Sequence, residues 1–172
     1  MPLVIVTGYP CSGKTRRAEE VAKFMREKGS AVQVVNNESL GIVRNSAYKD
    51  SASEKPARAA LKAAVERHLS GDSLMICDDL NYIKGFRYEL YCMARALGTS
   101  CTTIHCDATV EQLCTFNQEA GRGGGEAGGR YEDWILEELP RRFERPNDRN
   151  RWERPLFVVR PEDGDLPFEG VM

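Results

Sequence analysis

The segment Gly8-Tyr-Pro-Cys-Ser-Gly-Lys-Thr15 follows the apolar run Leu3–Thr7 and opens an amphipathic stretch, and no other feature restricts the fold of this chain so tightly. Two glycines let the backbone turn sharply, so that successive amide hydrogens converge on one point and favour a negative guest. A helix beginning near Gly13 adds the positive end of its dipole at the same point. Lys14 can reach the β- and γ-phosphates of a nucleotide, and the Thr15 hydroxyl is suited to magnesium. The spacing and its strand-before, helix-after context predict a binding site for ATP with Mg2+. The cradle comprises Gly8, Pro10, Cys11, Ser12, Gly13, Lys14, Thr15 and Arg16. The side chains of Tyr9, Pro10 and Cys11 shape the loop and are given no chemistry.

A strand that must present its carboxyl end to a helix N-terminus belongs to an open α/β sheet, and the remaining pattern agrees. Apolar runs at Leu3–Thr7, Val32–Asn36, Ser73–Cys77, Cys101–Cys106 and Leu156–Val159 predict five strands. Helical patterns near Lys14–Lys28, Ser53–Ser70, Gly85–Leu97, Val110–Gln118 and Glu132–Arg142 fall between them, with Pro140 expected to kink or end the last. Strand and helix alternate, so the fold class expected is α/β, a mainly parallel five-stranded sheet covered by helices on both faces. At 172 residues and 41% hydrophobic content, one domain is the expectation. Gly121–Arg130 carries six glycines in ten residues and reads as a loop. The last turn-rich, acidic residues from Arg160 make the chain look like the front part of something longer.

No run is long and apolar enough to span a bilayer, and no signal-type segment leads the chain, which points to the cytoplasm, with the nucleus as the alternative. The six cysteines show no paired C-x-x-C spacing, so they are expected as free thiols. His68 and His105 have no partner spacing that suggests a metal and are read as structural.

Magnesium between two phosphates needs an acidic group opposite the threonine. Asp78 follows Leu74-Met-Ile-Cys77 at the carboxyl end of a central strand, where open α/β sheets bind ligands. Thr15 and Asp78 are therefore the candidate metal residues. Asp79 faces the other way on an extended backbone and is the weaker candidate, with helix capping as its alternative. Glu38, after the second strand, is a candidate for orienting a water against the γ-phosphate, with a solvated loop carboxylate as the alternative. Between Arg141 and Arg154 lie six arginines against three acids. An arginine delivered from such a segment can neutralise charge on a transferring phosphoryl group. Arg142 is the first choice, followed by Arg149 and Arg151; a solvated cluster or RNA phosphate contact are the alternatives. Trp152 and Phe157 are expected in core or adenine-edge packing.

Three stretches carry a resemblance: the loop Gly8–Thr15, the run Asp78-Asp-Leu-Asn-Tyr-Ile-Lys-Gly-Phe-Arg-Tyr-Glu-Leu-Tyr-Cys92, and Arg149-Asn-Arg-Trp-Glu-Arg-Pro-Leu-Phe157. Together with Tyr48–Lys55 and Arg58 they closely resemble the Elongator-associated P-loop ATPases of the killer toxin insensitivity factor family, itself similar to the kinase of seryl-tRNA. The resemblance runs from Met1 to about Val159. It implies an ATPase that acts with the Elongator complex in modifying the wobble uridine of tRNA and binds tRNA. By the same resemblance the phosphate-loop roles fall on Gly13, Lys14 and Thr15 and the magnesium-side role on Asp78, while Asp79 stands where many members have serine. Arg142 and Arg151 match the family's arginines, Arg149 more loosely, and Arg145 stands where glutamate is more usual. The family's helical C-terminal domain, implicated in tRNA binding, has no counterpart in these residues. The functions open on this reading are a tRNA-stimulated ATPase, a kinase of an RNA or small molecule, and a nucleotide-stabilised binding module.

Overall fold

The computed structural model describes residues 2–121, 130–164 and 166. The glycine-rich stretch singled out above lies almost wholly outside them.

Five parallel strands form one sheet in the order β2-β3-β1-β4-β5: β1 (Leu3–Gly8), β2 (Ala31–Val35), β3 (Ser73–Asp78), β4 (Cys101–Cys106) and β5 (Leu156–Val159). Alternation with a period of two sends successive residues of one strand to opposite faces. Leu3 and Ile5 of β1 and Met75 and Cys77 of β3 accordingly join one core, packed under helices α3 (Ser51–His68) and α4 (Lys84–Ala96). Val4, Val6, Leu74 and Ile76 join the other, under α1 (Lys14–Glu27), which buries Ala18, Val21, Ala22 and Met25. Both faces being apolar is what a parallel sheet between helices requires.

A short helix α2 (Arg44–Ala47), not foreseen in the sequence, precedes α3, whose N-terminus is capped by Asp50 accepting from the Ser53 amide at 2.7 Å. Helices α5 (Val110–Gly121) and α6 (Asp133–Arg142) flank the undescribed stretch. Pro140 does not end α6; it sits inside the last turn and its carbonyl accepts from the Phe143 amide. A third apolar cluster, with Tyr48, Leu80, Tyr82, Tyr131 and Ile135, ties α6 to the loops at the carboxyl ends of the strands.

The segment between α6 and β5 is anchored by a buried ion pair. Arg87 on α4 is wholly buried; its Nε and Nη2 donate to Glu153 Oε1 at 3.0 and 2.8 Å, and its remaining donors reach the carbonyls of Asn81 and Glu144 at 2.8 Å each. The other oxygen of Glu153 accepts from the Asn147 amide and Asn150 Nδ2. The conspicuous Arg149–Phe157 run is thus built around a glutamate rather than its arginines.

His105 of β4 is buried beside Phe143, its ring nitrogens without a hydrogen bond and Nε2 3.9 Å from Asp107 Oδ1; burial, helped by the Arg145 charge and opposed by Asp107, pushes its pKa down to about 4. Its folded pKa lies below the ordinary value near 6.5, so the folded state resists protonation and stability falls as pH drops from about 6.5 towards 4. The shift corresponds to about 3 kcal/mol. His105→Phe is expected to flatten this acid limb in urea unfolding measured across that window; an unchanged limb would contradict the assignment.

Candidate functional site

The carboxyl ends of β1 and β3 lie side by side, with Val6 opposite Asp78, and the strand order reverses at β1, where α/β sheets open a crevice. Local bonds fix the two ends together. Thr7 Oγ1 donates to the Leu80 and Asn81 carbonyls at 2.9 and 3.1 Å, and Asn81 Nδ2 reaches back to the Val6 carbonyl at 2.7 Å. Asn81 adopts a left-handed backbone, φ 44°, to make this turn.

The loop between β1 and α1 is closely packed. A Cβ on Gly8 would come within 2.6 Å of the Cys106 carbonyl and of Ser12 Oγ, and Gly13, φ 84°, occupies the N-cap of α1 in a conformation suited to glycine. Cys11 is also left-handed, φ 57°. No side chain caps α1 and its first turn carries no acid, so the amides that cannot bond within the helix keep their positive field.

These residues floor a cavity of about 520 Å³. Cys11, Ser12, Gly13, Lys14, Thr15 and Arg16 of the loop line it, together with Asn36, Asn37, Arg44, Asp78 and Asp79 and with Arg17, Tyr131 and Arg160. Lys14 Nζ donates to the Tyr9 carbonyl at 2.5 Å. Burial lowers its pKa, opposed first by the Asp78 charge. Asp78 is buried, and neither of its carboxylate oxygens has a hydrogen-bond partner. Burial raises its pKa, opposed first by the Lys14 charge and then by the adjacent Thr15 and Asn36 side chains, neither of which makes a well-formed hydrogen bond to it. Ser12 Oγ and Asn37 Oδ1 are likewise buried without partners. Orphaned acceptors facing an unneutralised helix N-terminus are a concentrated cost unless a guest satisfies both. Thr15 and the free oxygens of Asp78 are the hard oxygen donors that suit Mg2+.

Several sequence-predicted residues do not meet here. Gly8 and Pro10 shape the loop without lining the cavity. Glu38 is exposed and outside the lining. The Ser39 amide donates to Asn36 Oδ1 and Ser39 Oγ to the Asn36 carbonyl, a tight turn that buries Asn37 and turns Glu38 outward. The carboxylate that joins Asp78 in lining the cavity is Asp79. It does not cap α4, whose N-cap is Ile83; its Oδ1 accepts from Asn37 Nδ2 and the Tyr48 hydroxyl, both at 2.8 Å. Burial raises its pKa.

Arg142 also departs from expectation. Its Nη1 donates to buried Glu54 at 2.8 Å and its guanidinium lies 5.8 Å from the Tyr82 ring centre, outside the cavity lining. Glu54 also receives Arg58 and the Tyr82 hydroxyl. Arg149 and Arg151 are exposed and outside the lining too. Trp152 packs on Tyr88 and Tyr91 of α4, with centroids 5.2 and 6.3 Å apart, and Phe157 against the α1 core; neither meets the cavity. Arg44, Asn36, Asn37 and Tyr131, which do line it, lie in loops or a four-residue helix without any spacing signal.

Fold and loop together define a kinase-like P-loop protein. Solved structures share this architecture: the Mycobacterium tuberculosis APS kinase CysC, 17% identical, has a TM-score of 0.64 over 95% of this chain and 90% of its own. The family model described as "Chromatin associated protein KTI12" matches residues 1–172, and the chain belongs to the KTI12 family. It is similar to the KTI12 homologues of Danio rerio, 43% identical over 99% of this chain and 60% of theirs, and Xenopus laevis, 41% identical over the same shares. It therefore spans about 60% of the length of these curated relatives. The crystal structure of Chaetomium thermophilum Kti12 in complex with ADP-AlF3 is 36% identical with a TM-score of 0.89, covering 99% of this chain and 95% of that one. All six cysteines are free, and no described helix is long and apolar enough to cross a membrane.

Proposed function

We propose that this chain binds ATP with magnesium and hydrolyses it, as the nucleotide-driven part of a factor acting with the Elongator complex in tRNA wobble-uridine modification. The observation that carries the reading is the pairing, within one cavity, of the uncapped α1 N-terminus with the partnerless Asp78 carboxylate. The ADP-AlF3 complex of the Chaetomium thermophilum relative supports it.

In this reading the amides at the start of α1 and Lys14 hold the β- and γ-phosphates. Thr15 and Asp78 would hold Mg2+, which would supply Lewis-acid neutralisation of the phosphate charge. Asp79, fixed through Oδ1 by Asn37 and Tyr48, orients a water in line with the γ-phosphorus. The water oxygen bonds to phosphorus as the bridging bond to the β-phosphate breaks. ADP leaves with the electron pair, and the proton departs on inorganic phosphate.

The chain is the ATPase unit of the longer family architecture, and we place the main tRNA contacts in the part of the relatives that it does not match. Basal turnover is slow and rises when tRNA engages the longer protein. The family's description places it at chromatin, and we extend a nuclear site of action to this chain alongside a cytoplasmic one.

The test is calorimetric binding of ADP with Mg2+ and with EDTA, for wild type and Asp78→Asn. ADP affinity that improves with Mg2+ in wild type, and no longer does so in the variant, supports the assignment. Failure of wild type to bind ADP would remove it. Phosphate appearing on an added RNA or metabolite instead of in solution would favour the kinase reading.

A further inference from the structure

The phosphate loop lines the cavity with positive charge, Asp78 and Asp79 line it too, and outside the loop its cations are Arg17, Arg44 and Arg160. Three observations single out Arg44. Among the described residues it is ion-paired with no carboxylate, whereas Arg17 is held by Glu20 and by the carbonyls of Arg160, Asp163 and Gly164, and Arg142 by Glu54. Arg44 shares the cavity lining with Asp78 and with Cys11 of the phosphate loop. Its guanidinium also lies 5.6 Å from the centre of the Tyr131 ring, within cation–π range.

The setting of Arg44 is fixed from outside its own short helix. The neighbouring Asn45 donates from Nδ2 to the Arg130 carbonyl at 3.1 Å and accepts from the Glu132 amide at 3.2 Å. Tyr131 is itself buried and tied to α5, its amide donating to Asn117 Oδ1 at 2.8 Å and its carbonyl accepting from Asn117 Nδ2 at 2.9 Å. Asn117 Oδ1 also accepts from the Cys11 thiol, at 3.6 Å. The short helix that brings Arg44 to the cavity is thus tied to a frame that reaches back to the phosphate loop through Tyr131, Asn117 and Cys11.

We propose that Arg44, held by Tyr131, is the arginine that neutralises the charge developing on the γ-phosphoryl group, the role expected of Arg142. The inference rests on the ATP-hydrolysing function proposed above. A planar guanidinium suits this because it bonds two equatorial oxygens at once, and the interaction strengthens as charge spreads onto those oxygens in the transition state. Bond making and breaking are as written above; Arg44 takes no proton and forms no bond to phosphorus.

Arg44→Ala is expected to lower the rate of phosphate release at saturating Mg·ATP by about 100-fold, to change ADP affinity less than about threefold, and to lose affinity for ADP with aluminium fluoride by a factor comparable to the rate. Arg44→Lys, which keeps charge but not the bidentate geometry, falls between. Tyr131→Leu moves towards Arg44→Ala without altering ADP affinity, and thermal unfolding of each variant separates a folding defect from a chemical one. Arg141→Ala serves as the surface-charge control.

Wild-type turnover in Arg44→Ala would overturn the proposal, as would a loss of ADP-aluminium fluoride affinity seen in Arg142→Ala but not in Arg44→Ala. Absence of ADP binding by the wild-type chain would instead overturn the ATP-hydrolysing function on which the inference stands.

Discussion

Replacing Lys14 with alanine is expected to reduce phosphate release from Mg·ATP by about 1000-fold or more, the largest functional effect anticipated in this chain. The loop geometry explains the size. Among the described residues Lys14 is the only ammonium lining the cavity; burial already lowers its pKa, and Asp78 opposes that shift. A charge held in a site of low effective dielectric acts more strongly on phosphate oxygens than the same charge in water. Because Lys14 follows Gly13 at the first position of α1, the alanine variant should keep the helix and the fold. Equal unfolding midpoints for wild type and variant, with ADP affinity and turnover lost, are therefore the expected pattern. Turnover within tenfold of wild type would show that the loop does not bind the transferring phosphate.

The second large effect concerns stability. Arg87→Ala is expected to lower the unfolding free energy by about 3–5 kcal/mol, because it strands Glu153 as a buried, unpaired carboxylate and leaves the Asn81 and Glu144 carbonyls without donors. The double variant Arg87→Met, Glu153→Leu removes both charges and fills similar volume, so it should lose much less than the single change. Urea unfolding of the singles and the double decides it. A double variant as unstable as the sum of the singles would mean that the pair is not coupled. The prediction matters for function because this pair anchors the segment between α6 and β5 to α4, the helix that follows the acid-bearing end of β3.

Which parts of this arrangement were readable beforehand follows from the range over which each is determined. The Gly8–Thr15 loop is local: strand, turn and helix N-terminus are contiguous, and glycine spacing alone dictates the backbone. The five strands were legible for the same reason, since runs such as Leu74-Met-Ile-Cys77 are apolar on both faces, and their boundaries shifted by only a residue or so. Asp78 ends such a run, which is enough to predict its place at the mouth.

The rest of the cavity lining was not legible. Asn37 and Glu38 are adjacent, and which one enters the cavity depends on a tight turn closed by Asn36 and Ser39. Alternation along an extended backbone predicts that Asp79 faces away, but the chain leaves the strand after Asp78 and turns at Asn81, so alternation no longer applies. The arginines misled through composition: six lie between Arg141 and Arg154, yet Arg142 is committed to Glu54, which is 88 positions earlier in the chain. Arg44 has no charged neighbours in sequence to draw notice, and only tertiary packing of Tyr131 beside it shows where it stands.

The most direct test of the proposed activity is release of inorganic phosphate from ATP by the purified chain, with Mg2+ and with EDTA, using Lys14→Ala as the blank. A full-length KTI12 homologue is carried alongside, with and without tRNA. The predicted result is slow, Mg2+-dependent release above the blank by this chain, rising with tRNA in the full-length homologue. Release indistinguishable from Lys14→Ala in both proteins, with or without tRNA, would contradict the assignment of this cavity as an ATP-hydrolysing site.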